Sequence, residues 1–346
     1  MQTVTVQIRI FPNDVSLLKE MGNEYIQTVN RLTEQAETAG VFPKLTSKDV
    51  EANLPSAIRN QAIRDARSIH KKTKKQGKRP ILKQRAYYVN NQNYTIGQNT
   101  VSFPVMADGK VRRLTVSARI EEREQHVLDS GKSGLLKIVE KSGKWYVHLS
   151  IELQVKEAAG DITMGIDLGL KVPAVVVTST GKTRFVGNGR QNKYIRRKYN
   201  SRRRKMGKLK KLSAIRKQQN KEHRYITDQN HKISRTIVNL AIEEQVSVIK
   251  VEKLTSIRQT TRTSRKNAKN LHNWSFYQLQ KFIAYKAALA GIKVMEVNPA
   301  YTSQTCPACG KRNKATDRTY RCLCGFHSHR DRVGAVNIMR QPVTDG

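Results

Sequence analysis

A multidomain α+β protein is predicted by three features of this 346-residue chain. Apolar residues first recur at a period of two, then at helical spacing over about residues 11–77, then at two again to about residue 158. From about residue 159 short apolar runs alternate with helical patterns, as in an α/β layer. Within that last region all four cysteines fall between Cys306 and Cys324, which marks a small metal-binding unit.

Val4, Val6, Ile8 and Ile10 alternate with Thr5, Gln7 and Arg9, giving a first strand. Pro12-Asn13-Asp14 breaks it and starts a helix, with Leu18, Met21, Tyr25, Val29 and Leu32 on one stripe. A second helix runs from about Asn53 to Lys75; Leu54, Ile58, Ala62, Ala66 and Ile69 form its core stripe, and its exterior is basic. Val101, Phe103 and Val105 alternate again, and Asp108-Gly109 is a hairpin turn before Val111 to Ile120. Ser142-Gly143 is another, followed by Trp145, Val147, Leu149, Ile151 and Leu153. These strands read as a small antiparallel sheet or barrel, into which residues 3–10 could pair, making the helical segment an insertion.

Ile162 to Asp167, Pro173 to Thr178 and Thr183 to Val186 read as consecutive strands with tight glycine turns. A long basic stretch follows, then an amphipathic helix through Ile233, Ile237, Leu240 and Ala241, and a strand ending at Glu252. Thr255 to Asn270 is rich in Ser, Thr, Arg and Lys and reads as a mobile loop. Phe276, Leu279, Ile283, Ala287 and Ala290 form a helix closed by Gly291, and Ile292 to Val297 is a last strand.

Lysine and arginine number 65 against 27 aspartates and glutamates, a net charge of +38. An excess of this size concerns partners more than fold, because a polyanion neutralises it and releases counterions. A ribosomal or histone-like protein would share the charge but not the acids described below. The densest stretch includes Arg190, Lys193, Arg196, Arg197, Arg202, Arg203, Arg204, Lys205 and Lys208, and these are the candidate nucleic-acid contacts. Its one acid is Glu222; a row of cations this dense repels itself unless an anion is present. No basic helix with a strong apolar face suggests a membrane surface. No stretch approaches the ~18 apolar residues of a bilayer span. The alternating start lacks a signal-peptide profile, so a cytoplasmic protein is expected.

Cys306-Pro307-Ala308-Cys309-Gly310 and Cys322-Leu323-Cys324-Gly325 are two turns that each offer two thiolates. Together they make a tetrahedral four-sulfur site for one structural Zn²⁺. The second pair has one intervening residue, which tightens its bite and could let His327 or His329 compete as a ligand. No ligand position looks open, so no catalysis is assigned to this metal.

Three acids stand in settings that suit metal-dependent phosphodiester chemistry. Asp167 ends the run Met164-Gly165-Ile166-Asp167-Leu168-Gly169, Glu252 ends Val248-Ile249-Lys250-Val251-Glu252, and Asp331 lies in His329-Arg330-Asp331-Arg332-Val333-Gly334-Ala335. Two ions about 3.5–4 Å apart need three or four converging carboxylates, and Mg²⁺ suits carboxylate and water ligands. Each acid alone reads as a solvated surface group. Their joint pattern points to a site, because Gly169 allows a sharp turn and Gly334-Ala335 allows a helix to pack closely on the sheet. Asp161 and Glu296 read as structural. His329 could support the site or act as a base, and Asn337 could hydrogen-bond near it or lie on a helix surface.

Taken in order, Gly165-Ile166-Asp167-Leu168-Gly169, Val251-Glu252-Lys253-Leu254, Asn273-Trp274-Ser275-Phe276, Cys306-Pro307-Ala308-Cys309-Gly310 and His329-Arg330-Asp331 leading to Gly334-Ala335-Val336-Asn337-Ile338 resemble the TnpB family, transposon-encoded relatives of type V CRISPR effectors. The likeness in motifs covers residues 160–346; the N-terminal half matches in arrangement only. The resemblance implies a RuvC-like nuclease domain of RNase H fold (159–300 and 329–346) with an inserted zinc ribbon (301–328). It also implies an N-terminal β-barrel wedge domain (1–10 and 78–158) carrying a helical recognition insertion (11–77). The implied activity is an RNA-guided DNA endonuclease cutting both strands of a double-stranded target, with a non-coding guide RNA and a short protein-read motif beside the target. Asp167, Glu252 and Asp331 would hold two catalytic Mg²⁺ ions, the basic stretch would line the heteroduplex channel, and the Thr255–Asn270 loop could cover the site. Two departures stand out: the short Cys322-x-Cys324 spacing, and His329 where the family often has Asp. The alternatives are an RNA-guided repressor that does not cut and an accessory protein of transposition; a homodimer is left open.

Overall fold

The computed structural model describes residues 1–254, 275–315 and 317–342. The loop read over Thr255–Asn270 and the pair Asn273-Trp274 lie outside the described residues. The chain divides into two compact units, Met1–Gln154 and Val155–Gly346.

The first unit is built on a seven-stranded antiparallel sheet of β1 (Gln2–Phe11), β2 (Ala86–Val89), β3 (Thr95–Ile96), β4 (Thr100–Ala107), β5 (Lys110–Arg119), β6 (Gly131–Lys141) and β7 (Lys144–Leu153), in the order β2-β6-β7-β1-β5-β4-β3. β1 is a central strand, pairing with β7 from Gln2 to Ile10 and with β5 at Arg9–Phe11. Both expected hairpin turns are tight: Asp108 and Gly109 have φ 51° and 70°, Ser142 and Gly143 φ 53° and 74°. Positive φ at both central residues is the turn geometry whose twist matches a hairpin. The period of two sends Ile8, Ile138, Val147 and Leu149 into a core shared with Leu18, Met21, Tyr25 and Val29 of α1 (Val15–Thr38) and Leu54 and with Ile58, Ala62 and Ala66 of α2 (Ser56–Gln76). Asp14 caps α1 by accepting from Leu17 N. A further helix, α3 (Glu122–Ser130), precedes β6.

The second unit holds a five-stranded sheet in the order β10-β9-β8-β11-β12, from β8 (Thr163–Leu168), β9 (Ala174–Thr178), β10 (Thr183–Val186), β11 (Val248–Glu252) and β12 (Lys293–Val297). β8, β9 and β10 form an antiparallel meander, and β11 runs parallel to both β8 and β12. α4 (Gly189–Lys208) and α5 (Leu212–Glu243) join β10 to β11, α6 (Phe276–Leu289) precedes β12, and α7 (Arg330–Arg340) follows the cysteine unit. One face of the sheet (Met164, Ile166, Ala174, Val176, Ile249, Val251) packs on Ile237 and Ala241 of α5 and Leu279 and Ile283 of α6. On the other face Val175 and Val177 pack against Ala335 and Val336 of α7. The amphipathic pattern read from Ile233 belongs to a helix that starts at Leu212, so the second half of the basic stretch is the solvent-facing beginning of the same helix.

No helix among the described residues is long and apolar enough to cross a membrane.

Candidate active site and metal centre

Strand parity places the acids. On β8, Met164, Ile166 and Leu168 point into the α5–α6 core, so Gly165 and Asp167 fall on the α7 face. On β11, Ile249 and Val251 do the same, leaving Lys250 and Glu252 on the α7 face, where Lys250 Nζ donates to Gln341 O (2.7 Å). Val251 is in register with Ile166, so the next residues along the two parallel strands are Glu252 and Asp167. Asp331, in the first turn of α7, supplies the third carboxylate and is buried.

α7 lies unusually close to the sheet. A Cβ on Gly165 would stand 2.1 Å from Ala335 O and 2.6 Å from Met339 N, and one on Gly334 would stand 2.9 Å from Asp167 Oδ2. Gly334 therefore has the helix-packing role expected of it. Gly165, which the sequence reading did not single out, makes the tighter backbone contact.

The three carboxylates are held differently. Asp331 accepts both contacts from Arg318 Nη1, one of 2.7 Å, and Arg330 Nε stands 3.9 Å away. Glu252 accepts from Thr302 Oγ1, while its carboxyl is raised above the usual range by burial, which that bond partly offsets. Asp167 has no side-chain donor among the described residues. Burial, then the charges of Glu252 and Asp331, push its carboxyl up to about 8, against the pull of Arg330 and Arg318. The acids thus sense one another, but their oxygens are not drawn to ligating distance. Among the described residues, the cysteines are the only group of three or more potential ligands that lie within 4.8 Å of one another.

Thr302 and Arg318 were missed in the sequence because no spacing marks them; both arrive through tertiary contacts. Asn337 Nδ2 donates to Thr302 O and Thr305 O (2.7 Å each), so α7 fixes the turn that presents Thr302 to Glu252. That resolves its role in favour of the hydrogen bond. Glu296 accepts from Gln280 Nε2 (2.9 Å), a brace between β12 and α6.

His329 caps α7. Its Nδ1 accepts from Asp331 N (3.2 Å) as the N-cap of α7, and its ring meets Phe185 edge-on at 5.0 Å. An aspartate there could accept the same bond.

The four cysteine sulfurs form the compact group just described, with Cys306 and Cys324 at 3.7 Å and Cys309 and Cys322 at 3.6 Å, and none is in a disulfide. The short second pair reaches the group because Cys322 N donates to Phe326 O (2.9 Å), Gly325 N to Cys322 O (3.0 Å), and Gly325 takes φ 88°. Burial raises the Cys306 thiol, but backbone donors from Cys309 and Ala308 and neighbouring thiols outweigh it and bring it down to about 7. Four soft donors with one already acidic suit a structural zinc site, and His327 and His329 stay outside it. The strands β13 (Thr319–Arg321) and β14 (His327–His329) pair behind it, and Tyr320 and Val333 bury Cys306.

The candidate nucleic-acid cations lie on or beside α4. Arg190, Lys193, Arg197, Arg202, Arg204, Lys205 and Lys208 are exposed. Arg203 and Arg196 are instead drawn to Glu222 of α5, at 2.6 Å and 3.7 Å, so that acid ties the two helices together.

Comparison with known proteins agrees with this layout. A family model described as Cas12f1-like, TNB domain matches residues 276–338, and one described as probable transposase matches residues 115–258. The CRISPR-associated endodeoxyribonuclease Cas12f1 of Sulfoacidibacillus thermotolerans is 29% identical over 278 residues, covering 72% of this chain and 64% of that protein. The TnpB-like protein MJ0751 of Methanocaldococcus jannaschii is 33% identical over 136 residues, 38% of this chain and 49% of that protein. The matches thus span between about half and two thirds of these relatives' length. The Cas12f1 chain of a solved Cas12f1–sgRNA–target DNA complex superposes with a TM-score of 0.71 at 17% identity, covering 95% of this chain and 82% of that one, which is a likeness of fold. The fold is accordingly the α+β fold of that chain, and the four-cysteine group lies within it. The family models and both kinds of relative show that parts of this chain are similar to Cas12f1 and to TnpB-like proteins.

Proposed function

We propose that the chain is an RNA-guided DNA endonuclease. The observation that carries this reading is the gathering of Asp167, Glu252 and Asp331 on the α7 face of one sheet, where Asp167 senses both other charges. The donors are hard oxygens, and burial raises both Asp167 and Glu252, so divalent cations would relieve a repulsion the protein alone leaves in place. Asp167, Glu252 and Asp331 are the residues that would hold two Mg²⁺ ions. Such ions, when bound, activate a water and stabilise the leaving oxygen of a phosphodiester. Thr302 orients the Glu252 carboxylate, and Arg318 steadies Asp331 and adds a positive charge beside the phosphate path. One Zn²⁺ in the cysteine group keeps the ribbon folded, and through it the placement of Arg318.

Sequence selection belongs to a guide RNA paired with double-stranded DNA, with the protein reading a short adjacent motif. The exposed cations of α4 supply the phosphate contacts of the heteroduplex. Residues 1–10 and 78–158 act as a wedge domain, 11–77 as its recognition insertion, 159–300 and 329–346 as the nuclease, and 301–328 as the zinc ribbon.

The test is Asp167→Asn in protein purified with its RNA. Cutting of a target plasmid is lost while target binding by gel shift is kept; a variant that still cuts rejects the site. Sequencing of the co-purified RNA checks the guide, and protein that cuts its target without RNA rejects it.

A further inference from the structure

We propose that the tip of the α4–α5 hairpin is an apolar wedge that seats on the end of a base-paired nucleic-acid stack. This rests on the nucleic-acid reading above and goes beyond it, by naming residues that touch bases where the rest of the hairpin touches phosphates.

Three residues, 209–211, join the two helices, and the turn is fully hydrogen-bonded. Leu209 N donates to Lys205 O (3.2 Å), Lys210 N to Gly207 O (3.0 Å) and Lys211 N to Met206 O (2.9 Å). Lys210 takes the left-handed conformation (φ 55°) that closes it. Ile215 Cδ1 comes within 4.0 Å of where a Cβ on Gly207 would stand, so the first turn of α5 lies near the last turn of α4. Further down, Glu222 locks Arg203 and Arg196 across the helices. The tip is therefore an ordered end of a braced hairpin.

Among the described residues little covers its two leucines. Leu209 is 56% exposed and Leu212 is 61% exposed. A single exposed leucine is ordinary. Two within four residues on an ordered tip form a small apolar surface, and its surroundings say what suits it. Lys205, Lys208, Lys210 and Lys211 encircle it in sequence, and no acid occurs from Arg190 to Lys221. An occupant must then be apolar at the centre and anionic at the rim. The end of a duplex has that form: the flat face of the last base pair between two phosphate chains. Apolar side chains pressed against base faces are a known way for proteins to engage or part a duplex, and flanking lysines add the salt-dependent phosphate attraction.

The experiment uses the full-length protein and an RNA–DNA heteroduplex of about 20 base pairs, with the fluorescent base 2-aminopurine placed at the terminal pair or in the interior. Binding should change the terminal signal by at least about twofold and leave the interior signal unmoved, as expected for a contact confined to the end. Leu209→Ser with Leu212→Ser should remove most of the terminal change, with affinity by anisotropy within about threefold, because the phosphate contacts persist. Leu209→Met with Leu212→Met should retain it. A terminal signal that does not respond to binding, or that survives the double serine variant, overturns the wedge while leaving the nucleic-acid reading intact. Absence of any duplex binding overturns both. Leucine-dependent retention on phosphatidylserine vesicles without a terminal signal would assign the tip to a membrane surface and also overturn the proposal.

Discussion

Two glycines beside the acids should fail in opposite ways when replaced by alanine. At Gly165 the new Cβ meets backbone, 2.1 Å from Ala335 O, so reaching an ordinary contact of 3.4 Å requires α7 to retreat by about 1.3 Å. Backbone cannot rotate away, and α7 is also seated on Val175 and Val177. Overpacking of this kind costs ~1–3 kcal/mol or more. At the upper figure the melting temperature of a unit this size falls by roughly 6–12 °C. At Gly334 the Cβ meets the end of a side chain, Asp167 Oδ2 at 2.9 Å and Cγ at 3.2 Å, which can swing aside. Alanine also gains ~1 kcal/mol of helix propensity over glycine, so Gly334→Ala should melt within about 2 °C of wild type. Its cost appears in the chemistry, where a displacement of ~1 Å is worth up to about 100-fold in rate. Differential scanning fluorimetry and plasmid cleavage by the guide-loaded protein read the two effects. Wild-type melting of Gly165→Ala would refute the close seat of α7 on β8, and wild-type cutting by Gly334→Ala would refute the role of Asp167.

Other outcomes follow from the same coordinates. Metal analysis should return one zinc per chain; its removal by a strong chelator, or Cys306→Ser, should lower the melting temperature and slow cutting together, since on the proposed reading the ribbon that carries Arg318 folds on that ion. In the first unit, burial and then Lys141 and Lys137 bring His148 from the usual 6.5 down to about 4. Its folded state resists protonation, so stability is intact above the unfolded value and is lost as pH falls from 6.5 towards 4. His148→Gln should flatten that part of the stability–pH curve; an unchanged slope would show that other groups set it.

Much of the second unit could be read in advance because its strands are buried and apolar, and because Asp167 and Glu252 each fall at the end of such a run. Parity then decides which face they occupy. The cysteine pairs were legible for the same local reason. Arg318 and Thr302 were not, since their use depends on β13 and on the turn after β12 folding back onto residues far away in sequence. α3 was also overlooked: none of its nine residues is fully buried, so it has no apolar stripe, and its signal is the reciprocal Glu121–Glu124 capping box. The basic stretch was read correctly as charge but not as two helices, because Glu222 reveals its partners only when α4 and α5 lie side by side.

Asp167 differs from its neighbours in being held by shape alone, and this makes Asp167→Asn informative about stability as well as cutting. Arg318 compensates Asp331, and the first turn of α7 adds its positive dipole end. Thr302 compensates Glu252. The Asp167 carboxylate receives no such donor among the described residues, and burial, followed by the two like charges, raises it to about 8. A carboxyl raised in this way binds its proton more tightly folded than unfolded. Its contribution is therefore present in full below the ordinary carboxylate range and is lost as pH rises to about 8. Asparagine keeps the shape and removes the charge. In metal-free buffer the variant should match wild type near pH 4 and exceed it increasingly up to pH 8, by an amount on the order of the ~1–3 kcal/mol cost of an uncompensated buried polar group. Magnesium should reverse the ranking by stabilising wild type and leaving the variant unmoved. If Asp167→Asn were no more stable than wild type at pH 8 without metal, the repulsion that is proposed to favour cation binding would not exist.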